Sequence, residues 1–505
     1  MSESSTDTLD VLIVGAGVSG IGAARHLQMR SPQQSFALIE AREDLGGTWD
    51  LFRYPGVRSD SDMYTFGYAF KPWLQGKVFA DGPSIKAYVR EAAEEAGIVE
   101  KIRFGCRMER LNWSSEENVW TVDVRNTSTG DTDHIRARFV VLCSGYYRYD
   151  QGYKPDFPGE GDFEGDIIHP QLWPKDYDYT GKRVVIIGSG ATAVTLLPSM
   201  TETAEHVTLL QRSPTYIAPR PTTDPVADVF RKILPGKIAY SLSRAKNILI
   251  SILFFQIAQI WPDWVRKQVK TYIRQELGEE FDIDRHFTPK YKPWDERFCV
   301  APDGDFFKAL ATDKADIATD DIETFTRKGI RLKSGAHIDA DLIIPATGLD
   351  MQLAGGAETR VDGRRVIARD CVSYRGMMLS QLPNLALAFG YTNASWTLKI
   401  DLTCERVCRL LNYMDREGYA ACMPVPPENL ETQPLLNLSS GYIKRAESWL
   451  PRQGFEAPWR TYQNYVQDML TIRYGQLDDG ALHFYRPGEL APPTAARPDE
   501  REAAE

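Results

Sequence analysis

The sequence predicts an α/β protein with two dinucleotide-binding, Rossmann-like domains and a helical insertion in the second. Three observations carry this. Apolar Val11 to Val14 runs straight into G-x-G-x-x-G at Gly15, Gly17 and Gly20. The same strand–loop–helix grammar recurs where Val184 to Ile187 meets Gly188-Ser189-Gly190-Ala191-Thr192-Ala193. Each loop is followed by a second apolar strand ending in a polar residue, and 505 residues leave room for two or three domains.

In the first site, one glycine permits the tight turn, the next lets backbone approach a pyrophosphate, and the third lets helix pack on strand. The helix over Ile21 to Leu27 then offers its N-terminal N–H groups to phosphate. Strand Phe36 to Ile39 ends in Glu40, whose carboxylate suits a ribose diol. A glycine-rich loop follows, Gly46-Gly47-Thr48-Trp49, and then Arg53-Tyr54-Pro55-Gly56-Val57-Arg58-Ser59-Asp60. Strand Phe139 to Leu142, ending in Cys143-Ser144-Gly145, closes this half near residue 150.

Between the two loops lies Phe163 to Pro174, where Phe163, Gly165, His169, Trp173 and Pro174 spell F-x-G-x-x-x-H-x-x-x-W-P. It stands where a joint must set one nucleotide against the other. Trp173-Pro174 stiffens its exit, so His169 reads as part of a linker, not as a general base. In the second site the strand Thr208 to Gln211 leads to Arg212 and Ser213. A carboxylate repels a 2′-phosphate, whereas arginine pairs with one. The residues therefore direct NADPH to the second site.

The predicted organisation is 1–150 and 351–487 for the first nucleotide domain and 151–218 and 293–350 for the second. A helical insertion covers 219–292 and a disordered Pro/Ala/Glu-rich tail 488–505. Ile344 to Gly348 repeats the strand-end pattern of Leu142 to Gly145, and Asn393 to Thr397 forms a loop before a helix.

Hydrophobic content of 43% and charged content of 25% are those of a globular protein, and a net charge of -10 argues against nucleic acid. Seven scattered cysteines without a C-x-x-C pair imply a reducing compartment and no disulfide framework or metal. MSESSTDT lacks signal-peptide features, so cytoplasm is the default. The longest apolar run, Ile248 to Trp261, is fourteen residues, too short to span a bilayer. A buried helix or subunit interface is its simplest reading. Arg244, Lys246, Arg266 and Lys267 around it leave peripheral membrane contact open. Nothing in the sequence speaks to oligomeric state.

Two nucleotide loops flanking F-x-G-x-x-x-H-x-x-x-W-P resemble the type I Baeyer–Villiger monooxygenases. So does G-x-W-x-x-x-x-Y-P-G-x-x-x-D, matched by Gly47, Trp49, Tyr54, Pro55, Gly56 and Asp60. PWDERFCVAPDGDFFKA and GYTNASWTLK resemble the mycobacterial ethionamide-activating group within them, over about residues 8 to 487. The resemblance implies FAD at the first site, with Gly47, Thr48 and Trp49 along it, and NADPH and O₂ as reductant and co-substrate. It implies insertion of oxygen beside a ketone carbonyl through a C4a-peroxyflavin, giving an ester or lactone, with sulfoxidation of thioethers as side chemistry. Arg297 stands where the family's active-site arginine stands, and Asp60 matches the carboxylate that positions it. Glu296 departs from the pattern, many members having lysine there, and implies a weaker preference for NADPH. The alternatives are a flavin-containing N/S-monooxygenase and a non-catalytic flavoprotein redox sensor.

Overall fold

The computed structural model describes residues 8–296, 298–436 and 440–490. Its largest sheet has nine strands centred on Leu9–Val14, which pairs in parallel with Phe36–Ile39 and Thr132–Leu142. All four residues from Val11 to Val14 are buried, as strands covered on both faces must be. Helix Val18–Arg30 crosses one face and packs on helix Trp396–Glu417.

An antiparallel run, Cys106–Ser114, Val119–Asn126 and Thr132–Leu142, extends this sheet. Sequence reading singled out only its last strand. Its signal is period two: Trp120, Val122 and Val124 are buried and alternate with more exposed residues. Trp113 and Trp120 lie opposite each other with ring centres 5.4 Å apart. Strands Glu358–Val361 and Leu385–Leu387 come back to the same sheet from the C-terminal half.

The second sheet is parallel throughout, in the order Ala315–Thr319, His206–Gln211, Arg183–Ile187, Leu342–Pro345, Asp166–Ile167. The two sheets repeat one detail. Gly15 has φ +105 and lies where a Cβ would come within 2.5 Å of the Cys143 carbonyl oxygen. Gly188 has φ +135 and a Cβ there would come within 2.3 Å of the Ala346 carbonyl oxygen. Each nucleotide loop turns directly over the end of a neighbouring strand, and only glycine satisfies both the dihedral and the space. The likeness of Cys143-Ser144-Gly145 to Ala346-Thr347-Gly348 reflects this shared construction.

Helices Pro225–Ile233, Gly236–Ile260, Pro262–Leu277 and Ile283–His286 lie between the strands Tyr216–Arg220 and Phe298–Pro302, which pair in parallel. The apolar run is part of a 25-residue helix, Gly236–Ile260, long and apolar enough by length and composition to cross a membrane. Only 28% of its most apolar window is buried, so the simplest expectation, a buried helix, is corrected. The run looked short because the helix's first half carries Ser243, Arg244 and Asn247, which are buried against the rest of the protein. The predicted tail is also corrected at its start. Residues 488–490 are placed, with Leu490 buried in the core beneath the first sheet; the remainder lies outside the described residues.

Helix Trp396–Glu417 is buried nearly all round, and its buried charges are either ion-paired or, as at Arg406, held by backbone carbonyls and the Tyr374 hydroxyl. Lys399 Nζ is 2.6 Å from Asp468 Oδ2, and Asp401 meets His26 at 3.1 Å and Arg244 at 3.2 Å. Cys404 and Cys408 are small core residues on this helix, and all seven cysteines are free.

Candidate active site

The first glycine loop opens onto a cavity of about 840 Å³. Gly15, Gly17, Glu40, Gly47, Thr48, Trp49 and Asp60 line it, and Ala191 and Thr192 bring in the start of the second loop's helix. Gly20 is buried behind the first loop.

Glu40 does more than the sequence showed. Its Oε2 accepts the Ala16 N–H at 2.7 Å and its Oε1 the Arg42 N–H at 3.0 Å, so the acid that faces the cavity also fixes the glycine loop. Burial raises its pKa, against those two N–H groups and the charge of Arg42. Thr48 Oγ1 shares a hydrogen bond of 3.3 Å with the Tyr149 hydroxyl, and Trp49 meets Phe66 edge-on. Behind this loop Asp50 accepts from Arg42 Nε at 2.8 Å and Lys86 Nζ at 2.6 Å. Burial pushes Asp50 up, but those two cations outweigh it and hold its pKa below the usual range.

The segment from Tyr54 to Asp60 is the seam between the two folds. Gly56, at φ +73, lies against helix Ala191–Met200; a Cβ there would fall 1.9 Å from Ser199 Oγ and 3.0 Å from the Thr195 carbonyl oxygen. Tyr54 is buried beside Thr192, and burial pushes its phenol up to about 12. Arg58 forms an ion pair with Asp305, its Nη2 lying 3.3 Å from Oδ1. Asp60 lies in the cavity wall, close enough to Tyr54 for its charge to add to that rise.

The second loop is more open. Gly190, Arg212 and Ser213 are exposed, Gly188 is partly so, and Ala193 is buried in the core below. None of these five lines the cavity. Ser189 Oγ donates to the Ser213 carbonyl at 3.0 Å, tying the loop to the end of the second strand. Gln211, at the strand end that corresponds to Glu40 in the first site, is spent inside: its Nε2 donates to the His286 carbonyl at 2.8 Å and to Thr319 Oγ1 at 2.9 Å. Arg212 has no acidic partner among the described residues.

The F-x-G-x-x-x-H-x-x-x-W-P stretch stays out of the cavity. Phe163 meets Phe325 edge-on, Gly165 lies against the Asp341 carbonyl, Trp173 is buried in the second core, and Pro174 is exposed. His169 Nδ1 accepts the Gln171 N–H at 3.2 Å and caps a short turn. Burial lowers its pKa, against the nearby carbonyls of Tyr153 and Gly348, so it is neutral at pH 7.

Arg297 lies outside the described residues. Trp294 and Phe298 on either side of it line the cavity, with their rings stacked 5.9 Å apart. Trp294 has φ +74, a conformation that a bulky residue adopts only under constraint from its surroundings. Tyr391, Asn393 and Trp396, which the sequence placed only in a stretch ahead of a helix, line the cavity as well, and so does Arg220, which sequence reading did not single out. Trp396 Nε1 donates to Ser19 Oγ at 2.9 Å, so the start of helix Trp396–Glu417 is tied to the first nucleotide helix. The only signal for that tie was the position of GYTNASW ahead of a helix.

The described families "Flavin-binding monooxygenase-like" and "NAD(P)-binding Rossmann-like domain" match residues 67–246 and 13–80. The FAD-containing monooxygenase EthA of Mycolicibacterium smegmatis is 51% identical over 481 residues, 95% of this chain and 97% of that protein. EthA of Mycobacterium tuberculosis is 50% identical, covering 95% and 98%. The probable FAD-binding monooxygenase AlmA of Acinetobacter baylyi is 49% identical, covering 94% and 96%. Among solved structures, an oxidized steroid monooxygenase bound to NADP matches with a TM-score of 0.74 at 23% identity, over 95% of this chain and all of that one. A closed cyclohexanone monooxygenase matches at 0.69 and 22% identity, over 84% and 87%.

Proposed function

Because the chain belongs to the FAD-containing monooxygenases, we propose that it is a Baeyer–Villiger enzyme that places one oxygen atom of O₂ beside a ketone carbonyl, yielding an ester or lactone. Thioether sulfoxidation is a second outlet for the same oxidant. FAD and NADPH are the cofactors, and they supply the oxygen activation when bound.

The cavity fits the flavin cofactor. Its glycine loop presents the N-terminus of helix Val18–Arg30 to a pyrophosphate, and Glu40 retains lone pairs for a ribose. Gly47, Thr48 and Trp49 are the wall residues that would hold the rest of the cofactor. At the second loop, exposed Arg212 and Ser213 would hold the 2′-phosphate of NADPH, and Gly188, Gly190 and the helix start at Ala191 would receive its pyrophosphate. Arg297 supplies positive charge where negative charge develops on oxygen, and Asp60 positions it.

One observation carries this reading. A single cavity runs from the first glycine loop to Thr192 of the second and has Asp60, Trp294 and Phe298 in its wall. Product analysis by mass with linear, cyclic and aryl ketones, under NADPH and air, tests it. Ester or lactone formed in step with NADPH oxidation supports the proposal. Oxygenation of amines or thioethers alone would favour the N/S-monooxygenase reading, and NADPH oxidation without any oxygenated product would reject both.

A further inference from the structure

Helix Gly236–Ile260 carries an exposed apolar stripe: Ile238, Leu242, Leu249, Leu253 and Ile260. Their spacings of four and seven residues keep them within one narrow face of a helix. Trp261 and Trp264 continue it round the turn into helix Pro262–Leu277, and both are more than half exposed, at 60% and 55%. Val229 and Ile233, on the adjoining helix Pro225–Ile233, are exposed as well. A patch of this extent on a globular protein marks an interaction surface.

We propose that this helical face docks on an anionic lipid surface, lying on it without crossing it. Charge identifies the partner. Residues 225–277 hold nine Lys or Arg against three Asp or Glu, in a chain whose net charge is -10. Lys232, Lys237 and Lys267 are exposed beside the apolar residues and have no acidic partner among the described residues. An apolar face rimmed by free lysines, with tryptophans at its end, matches the boundary between headgroups and acyl chains.

The same observations set aside a span and a second copy. Arg244, within the helix, is buried; its Nη1 donates to the carbonyls of Tyr64 at 2.9 Å and Thr65 at 3.2 Å, and its Nη2 lies 3.2 Å from Asp401. Drawing the helix through a bilayer would tear that anchor out of the core. A symmetric contact between two copies would set one basic rim against another. The docked face also adjoins the cavity: Ile250 and Phe254 line it and are themselves exposed. An apolar solute in the lipid would thus meet the cavity wall directly.

The test uses purified full-length, FAD-loaded protein and sedimentation with vesicles of phosphatidylcholine alone or with roughly one-third phosphatidylglycerol. Binding to the anionic vesicles is expected, weakened by salt and near background on phosphatidylcholine. The triple variant Leu253→Ser, Ile260→Ser, Trp264→Ser should reduce it by at least about ten-fold. The pair Lys237→Glu, Lys267→Glu should do the same, and it leaves the apolar face intact should the triple variant fold poorly. Light scattering without vesicles completes the set. Failure to bind anionic vesicles, or binding unchanged in the charge-reversed pair, would overturn the proposal. So would a wild-type dimer that the charge-reversed pair leaves intact and that does not bind vesicles.

Discussion

Replacing Gly56 with alanine tests the seam between the two nucleotide folds. The residue has φ +73, where an L-residue costs about 1–2 kcal/mol more than glycine. The added methyl would also fall 1.9 Å from Ser199 Oγ and 2.8 Å from its Cβ, an overlap that costs about 1–3 kcal/mol to relieve. Together these penalise the docked arrangement by roughly 2–5 kcal/mol, more than ten-fold in its population. Gly56 does not line the cavity, and its added methyl would meet Ser199 and Thr195 and not Arg212, so the effect should fall on flavin reduction. Anaerobic mixing of the oxidised holoenzyme with NADPH, followed by flavin absorbance, should show reduction slowed about ten-fold or more. Adding Ser199→Ala removes the nearest atom but not the backbone strain, so it should restore part of the rate and not all. Reduction at the wild-type rate in Gly56→Ala, or no recovery in the double variant, would refute the packing argument.

Four further outcomes are expected. Glu40→Gln loses a charge that accepts the Ala16 N–H at 2.7 Å, a bond worth about 1.5–3 kcal/mol, so titration of the apoprotein should show FAD bound at least about ten-fold more weakly. Arg212→Ala should raise KM for NADPH by about ten- to a hundred-fold and leave KM for NADH alone. The unaltered enzyme should keep the higher kcat/KM with NADPH despite Glu296. Asp50 has its folded pKa below the normal value because Lys86 and Arg42 outweigh its burial. Its contribution to stability is therefore full above the ordinary carboxylate range, near about 4, and is lost as pH falls through the lower folded value. Thermal midpoints across that acid range should fall less steeply for Asp50→Asn than for the unaltered protein.

What the sequence made legible was whatever local geometry forces into adjacent residues. The two glycine loops are of this kind, because each turns over a strand end where Gly15 and Gly188 have no room for a side chain. So are Glu40 at its strand end and the paired strand ends at Cys143 and Ala346. What stayed hidden depends on neighbours distant in the chain. Nothing near Gly56 announces Ser199, and nothing near Trp396 announces Ser19. Nothing near Gln211 announces its two internal acceptors, the His286 carbonyl and Thr319, which lie far along the chain. The helix Gly236–Ile260 extends well before its apolar run because Arg244 and Asn247 are polar residues with buried partners, which a hydropathy pattern cannot register. Sequence reading left peripheral membrane contact of this run open without deciding it, because an apolar residue in sequence does not say whether it faces a core or a surface.

The central claim is that oxygen from O₂ enters a ketone with the help of charge from Arg297. The most direct measurement supplies ¹⁸O₂ and NADPH to the wild-type enzyme and to Arg297→Ala, each with FAD bound, and follows label in the ester by mass. Wild type should yield ester carrying one ¹⁸O atom per molecule, while Arg297→Ala oxidises NADPH yet forms almost no ester. Labelled ester formed by Arg297→Ala at the wild-type rate, or wild-type ester free of label, would contradict the account.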